Sequence, residues 1–244
     1  MWTTYLIGSE KGMGAGFVVF RRDANEPDGV VAVMVTAAHL LDAVGKGPLF
    51  VGTRTPDAQG GVRVAIVEFQ PRRSGQRFYV RHPEHDIAAF ELRLPKEAAD
   101  LIALPSFLDD PAHGRKPPRA GEEVSFLGFP EMLPELEGLF PVLRTGRVAS
   151  YPVGTAQSGG VFVINADVYP GDSGAPVYVA GRGGRPELTG MIIRRVGSDK
   201  KAFSHLAIAV EARLIRETLQ LLGDHDEQTK ATQTVRNKPA AAPR

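Results

Sequence analysis

Short apolar runs separated by turn-forming residues recur along most of the chain. Thr3 to Ile7, Phe17 to Arg21, Val31 to His39, Leu49 to Arg54, Val62 to Phe69 and the run from Ile87 to Leu92 lack a helical period, and each predicts a strand. Six short strands in about 90 residues have the spacing of a small antiparallel barrel. A second set of six follows: Glu123 to Phe129, Leu143 to Tyr151, Val161 to Val168, Ala175 to Ala180, Leu188 to Val196, and His205 to Val210. Between the sets, residues 96–120 change character, with weak helical pattern up to Leu104 and then Pro, Gly and charge. This is the expected connection. The segment from His39 to Val44 has room for one helical turn, ended by Gly45. Glu131 to Phe140 reads as an added loop. From Glu211 the period changes: Leu214, Ile215, Thr218, Leu219, Leu221 and Leu222 recur at helical spacing, with Gly223 as the expected stop. Residues 224–244 are too polar to bury a face and are expected to be disordered.

One polar island interrupts the second set. Val168-Tyr169-Pro170-Gly171-Asp172-Ser173-Gly174-Ala175-Pro176 puts a serine on a bend crowded with glycine. Glycine opens backbone conformations closed to other residues and allows close approach to the main chain. A hydroxyl displayed there is a candidate nucleophile, with the N–H groups of Gly171 and Ser173 available to an attacked carbonyl oxygen. The plain alternative is a loop, since Gly-Asp-Ser-Gly is ordinary turn composition. A serine nucleophile needs a base, and the base needs an acid to orient it. Of the six histidines, His39 stands out because it closes an apolar strand. Asp86 stands just before another one. Strand ends are where a rigid scaffold commonly holds functional groups. Gly12-Met13-Gly14-Ala15-Gly16 invites a dinucleotide-loop reading, but it leads into a β-rich run and not a helix, so a glycine turn into a strand is the better reading.

Composition narrows the classes. At 244 residues, 43% hydrophobic and 23% charged, the chain has the make-up of an ordinary globular protein. A net charge of +1 gives no case for a nucleic-acid or membrane partner. There is no cysteine, so no disulfide supports the fold, and a cytoplasmic location is expected. The first ten residues lack the basic and apolar regions of a signal peptide. No histidine cluster has ligand spacing, so no metal and no cofactor are expected.

Thr36-Ala37-Ala38-His39, Asp86-Ile87-Ala88 and Gly171-Asp172-Ser173-Gly174-Ala175-Pro176, in that order, resemble the trypsin-like (chymotrypsin-fold) serine peptidases, in a bacterial cysteine-free form. The resemblance implies an all-β fold of two six-stranded antiparallel β-barrels with the active site in the cleft between them, plus a C-terminal helix packed on the second barrel. It places a barrel with His and Asp at 1–95, a linker at 96–120, a barrel and helix with Ser at 121–223, and a tail at 224–244. It implies a His39-Asp86-Ser173 triad, an oxyanion hole at Gly171 and Ser173, and a protein or peptide substrate.

Several positions depart from that pattern or bear on specificity. No activation site precedes the first set of strands, which leaves Asp172 without the freed N-terminus that pairs with it in many members. Ile193 stands where a serine commonly supports the aspartate. Arg194 and Arg195 follow on the strand expected to line the substrate cleft, either as substrate contacts or as surface arginines. Asp167 lies at the offset of the acid that binds a basic P1 side chain, and a buried, unpaired carboxylate there would select one. His205 is a second candidate for the pocket wall. His82 and His85 read as loop residues. Two rivals remain. An α/β-hydrolase would order its triad Ser, Asp, His and alternate strands with helices, which this chain does not. A non-catalytic or conditionally active binding module on the same fold is the other.

Overall fold

Every valine- and phenylalanine-rich run of the sequence forms a strand in the computed structural model, which describes residues 3–22, 30–45, 47–56, 61–92, 117–131, 140–180, 186–197 and 204–225. In the first half these are β1 (Thr4–Ser9), β2 (Gly12–Arg22), β3 (Val30–Thr36), β4 (Leu49–Pro56), β5 (Val62–Phe69) and β9 (Ala88–Glu91), with three two-residue strands, β6 (Arg72–Arg73), β7 (Gln76–Arg77) and β8 (Val80–Arg81), between the last two. Seven of them form one antiparallel sheet in the order β5-β4-β1-β2-β3-β9-β8. The expected first barrel is therefore an open sheet among the described residues. Its edges are β5 and the very short β8, while the chain between them folds into the separate β6–β7 ribbon. Curvature replaces hydrogen-bonded closure. Phe69 on edge strand β5 stacks on Phe90 of β9 with ring centroids 4.0 Å apart, so the two ends of the sheet curl over a shared core. Tyr5, Met34, Leu41, Leu49 and Val51 fill that core.

The second half closes. β10 (Glu123–Gly128), β11 (Val142–Val148), β12 (Val161–Val168), β13 (Pro176–Ala180), β14 (Pro186–Arg195) and β15 (Ser204–Glu211) form a six-stranded barrel in the order β10-β11-β12-β15-β14-β13. Phe126, Phe162, Ile164, Val177 and Ile192 fill its interior. Burying a side chain of this size is worth roughly 1.5–3 kcal/mol.

Helix α1 (Ala38–Val44) follows β3 directly and ends at Gly45, whose φ of 67° is a conformation few other residues adopt. Helix α2 (Ala212–His225) ends the described chain. It runs two residues past Gly223, the expected stop; a lone glycine only weakens a helix, and that one keeps helical geometry. The helix does more than cap the barrel. Its Leu214, Ile215, Leu219 and Leu222 share one apolar cluster with Met191 and Ile193 of β14 and with Phe17, Val35, Ile87 and Ala89 of the first-half sheet. That cluster glues sheet, barrel and helix together beside the segments that carry His39 and Asp86. Of the linker expected at 96–120, residues 96–116 lie outside the described residues, as do 132–139 of the loop expected from Glu131 to Phe140 and 226–244 of the tail expected at 224–244. No helix among the described residues is long and apolar enough to cross a membrane.

Candidate active site

The base candidate sits where an apolar strand gives way to a helix. β3 runs into Ala37 and Ala38, both buried, and His39 is the first residue of that path to emerge. The first N–H groups of a helix have no partner inside it. Ala37, which precedes α1, has no side chain able to cap it. Asp86, just ahead of the neighbouring strand β9, supplies that cap, its Oδ1 accepting the His39 N–H at 2.8 Å. Its Oδ2 accepts from His39 Nδ1 at 2.6 Å, so one carboxylate fixes both the main chain and the ring. The pairing assigns the ring proton to Nδ1 and leaves Nε2 as the free acceptor on a side chain 48% exposed. Burial pushes the Asp86 carboxyl up, but the His39 hydrogen bonds and charge, helped by Arg81, hold it below its ordinary value.

Asp86 is itself held by a knotted loop. Buried His82 accepts the N–H groups of Glu84 at 3.2 Å and His85 at 3.1 Å on Nδ1, which places its proton on Nε2, 3.4 Å from Glu217 of α2. The His82 N–H donates to Ile87 O and the Ile87 N–H to His85 O. His82, read from sequence as a loop residue, is the centre of this knot.

Ser173 lies on the turn between β12 and β13. Of residues 171–177 it alone is not fully buried. Gly171 and Gly174 flank it with φ of 96° and 89°, and both are hemmed in: a Cβ would overlap Phe129 O at the first and Ala15 O at the second. The Ser173 carbonyl accepts the Ala15 N–H at 2.7 Å, and Ala15 O in turn accepts the buried Thr36 hydroxyl at 2.7 Å. Gly14 explains how close the two halves come. A Cβ there would overlap Leu40, the neighbour of His39, and would stand 2.8 Å from Ser173 O. The glycine-rich stretch at 12–16 is thus strand β2 at the seam between the halves, and its missing side chains let the serine turn dock beside α1. Among the described residues no hydrogen bond joins Ser173 Oγ to His39, and the N–H groups of Gly171 and Ser173 donate to nothing.

Asp172, with no exposed surface, finds its partner in Arg144 of β11. The guanidinium grips both carboxylate oxygens, Nη1 reaching Oδ2 at 2.7 Å and Nη2 contacting Oδ1, while the Tyr169 N–H adds a third donor at 2.7 Å. Burial pushes the Asp172 carboxyl above its ordinary value, and Arg144 and the Tyr169 N–H oppose that rise. Arg144 is in turn packed over the rings of Phe126 and Tyr169. Sequence reasoning left Asp172 unpartnered; the signal was the need itself, because a buried carboxylate calls for a buried cation.

The remaining candidates divide. Ile193 is buried in the apolar cluster at the seam and offers Asp86 no hydrogen bond. Asp167 and His205 meet across β12 and β15, Oδ1 to Nδ1 at 2.7 Å, with side chains 55% and 72% exposed. Asp167 is therefore neither buried nor unpaired, which removes the physical basis for a basic P1 preference. Arg194 is exposed and Arg195 partly buried on β14. Among the described residues no group of His, Cys, Asp or Glu is arranged to hold a metal ion.

Residues 14–185 match the family described as "Trypsin-like peptidase domain", a span that includes His39, Asp86 and Ser173. No curated protein sequence matches the chain. Among solved structures, the chain is similar to a serine-to-alanine mutant of Rv3671c from M. tuberculosis H37Rv in its inactive form. Identity is 19% and the TM-score 0.53, with 94% of this chain and 90% of that one covered, a likeness of fold. With the family matched over most of its length, the chain belongs to the trypsin-like peptidases.

Proposed function

We propose that the protein is a serine endopeptidase in which Ser173, His39 and Asp86 act together through an acyl-enzyme intermediate. Ser173 Oγ attacks the peptide carbonyl. His39 Nε2 takes the proton and returns it to the leaving amine. Asp86 stays ionised, keeps the imidazole in the tautomer that leaves Nε2 free, and stabilises the cation that forms. The Gly171 and Ser173 N–H groups hold the oxyanion; one such donor is worth roughly 3–4 kcal/mol in the transition state. The observation that carries this reading is the double grip of Asp86 on His39, which has a plain purpose only if the ring must present Nε2 in one orientation. The cytoplasmic location stays part of the proposal, supported by a chain without cysteine.

A binding module without catalysis draws on one fact, the missing Ser173–His39 hydrogen bond. Such bonds are often long until substrate tightens the site, so the fact weighs little against the paired Asp86 and the two free donors. Digestion of an unfolded protein substrate separates the readings. The wild-type protein cuts it, and Ser173→Ala, still folded, loses turnover by about a millionfold. Equal cutting by both proteins refutes the assignment.

A further inference from the structure

We infer that the protein selects substrates with a carboxylate side chain at P1, the residue whose carbonyl is attacked, and that Arg195 reads it. The inference rests on Ser173 as nucleophile and adds the substrate class.

Three segments surround the serine turn. Its own approach is residues 167–172; the end of β14 is tied to it by Gly174 N–H to Ile192 O at 2.7 Å and Ile192 N–H to Ala175 O at 2.9 Å; the start of β15 is tied to β14 by Val196 N–H to Leu206 O at 2.9 Å. With the carbonyl carbon at Ser173 Oγ and its oxygen at the Gly171 and Ser173 N–H groups, we place the P1 side chain against these segments, because they are the ones hydrogen-bonded to the turn. Their acids are already engaged. Asp172 is paired inside with Arg144, and Asp167 is hydrogen-bonded to His205 at 2.7 Å and open to water. Arg194 and Arg195 remain, and neither side chain has an ionic or hydrogen-bonding partner among the described residues.

Arg195 is the more telling of the two. Arg194 lies exposed, where water solvates it. Arg195 is partly buried, and its Nη1 is shut off from solvent with no hydrogen bond at all. A guanidinium nitrogen in that condition has lost its water without gaining a partner, an unfavourable state that a carboxylate would relieve. The planar fork of arginine fits a carboxylate through two parallel hydrogen bonds. A basic P1 side chain would meet this charge head-on, and the one carboxylate once expected to welcome it, Asp167, is turned to His205 and solvent.

The test is a set of fluorogenic peptides identical except for Glu, Asp, Gln, Ala or Arg at P1, read with the wild type, Arg195→Gln and Arg195→Lys, alongside fluorophosphonate labelling of Ser173. The wild type is expected to cleave the Glu or Asp peptide with kcat/KM roughly 10–100-fold above the Gln peptide. Arg195→Gln brings the ratio near one, and Arg195→Lys, which keeps the charge without the fork, retains part of it. A wild type that favours Arg, Gln or Ala, or an acidic preference that survives Arg195→Gln, overturns the inference. Labelling keeps the two ideas apart: labelled Ser173 without acidic preference sinks this inference alone, and unlabelled Ser173 sinks it together with the nucleophile. Because the wild-type ratio stands by itself, a poorly folded Arg195→Gln does not shelter the claim.

Discussion

The Ala15 N–H donates to the Ser173 carbonyl oxygen at 2.7 Å, so the residue that displays the hydroxyl hangs from β2, the strand paired with the one that leads into the histidine's helix. Strand β2 brings the serine turn of the second half to α1 of the first, and the absence of side chains at Gly14 permits it. Gly14→Ala should therefore act on chemistry at a distance. Its Cβ must displace Leu40 and the Ser173 main chain, and a shift near 1 Å in a catalytic constellation costs about 100-fold. We expect kcat/KM to fall by roughly 10- to 100-fold with the circular dichroism spectrum preserved. Gly52→Ala on β4, where a Cβ would find its nearest neighbour at an ordinary 3.8 Å, should leave activity unchanged. Steady-state kinetics on both variants check the pair.

The Arg144–Asp172 pair makes a sharper demand on stability. Removing one partner of a buried ion pair strands the other charge and costs roughly 3–5 kcal/mol. Arg144→Met should lower the unfolding free energy by about that much, and adding Asp172→Asn should recover part of it. Urea denaturation of wild type, single and double variants reads the coupling directly. Equal stability of the single variant and the wild type would mean that the pair does not organise the serine turn.

How far the sequence alone reached can be judged from particular elements. Short apolar runs without a helical period, bounded by turn residues, located all twelve main strands. His39 and Asp86 were legible as candidates because each stands at the end of such a run, and Ser173 because glycine crowds its bend. Arg144 was hidden because β11 inverts the pattern, leaving Leu143 57% exposed while Arg144 turns inward to Asp172. His82 was hidden because its importance lies in main-chain N–H groups that converge on one ring nitrogen, and no residue pattern encodes that. The open first sheet was missed for a related reason: strand count is local, whereas closure depends on how two distant edges meet.

Asp86 gives a pH dependence whose sign is fixed by its environment. Its carboxyl titrates below the ordinary value in the folded protein, so the folded state binds its proton less readily than the unfolded chain does. The stability this confers is full above the ordinary carboxylate pKa and is lost as pH falls through the lowered folded value. The stability advantage of wild type over Asp86→Asn should hold steady near neutrality and shrink below about pH 4. Chemical denaturation across pH 2 to 7 would show it, and an advantage that grows on acidification would contradict the assignment. In turnover, Asp86→Asn should cost about 10,000-fold, because the wrong tautomer faces the serine.

The knot behind Asp86 distinguishes a structural histidine from a surface one. His82→Ala strands two main-chain donors and should cost roughly 1–3 kcal/mol, with a lower kcat as Asp86 loosens. Glu217→Gln, at a 3.4 Å contact on a side chain 49% exposed, should stay within about 0.5 kcal/mol of wild type. Melting curves and kcat for the two variants are the comparison. Equal effects would place the weight on the ion pair instead of on the ring nitrogen.

The central claim is that Ser173 Oγ is a nucleophile activated by His39. Intact-protein mass spectrometry after incubation with a fluorophosphonate tests it most directly. The account predicts a single added phosphonyl group on Ser173 of the wild type, none on Ser173→Ala, and labelling slowed by orders of magnitude in His39→Ala. An unmodified wild type, or modification that persists in Ser173→Ala, would contradict it.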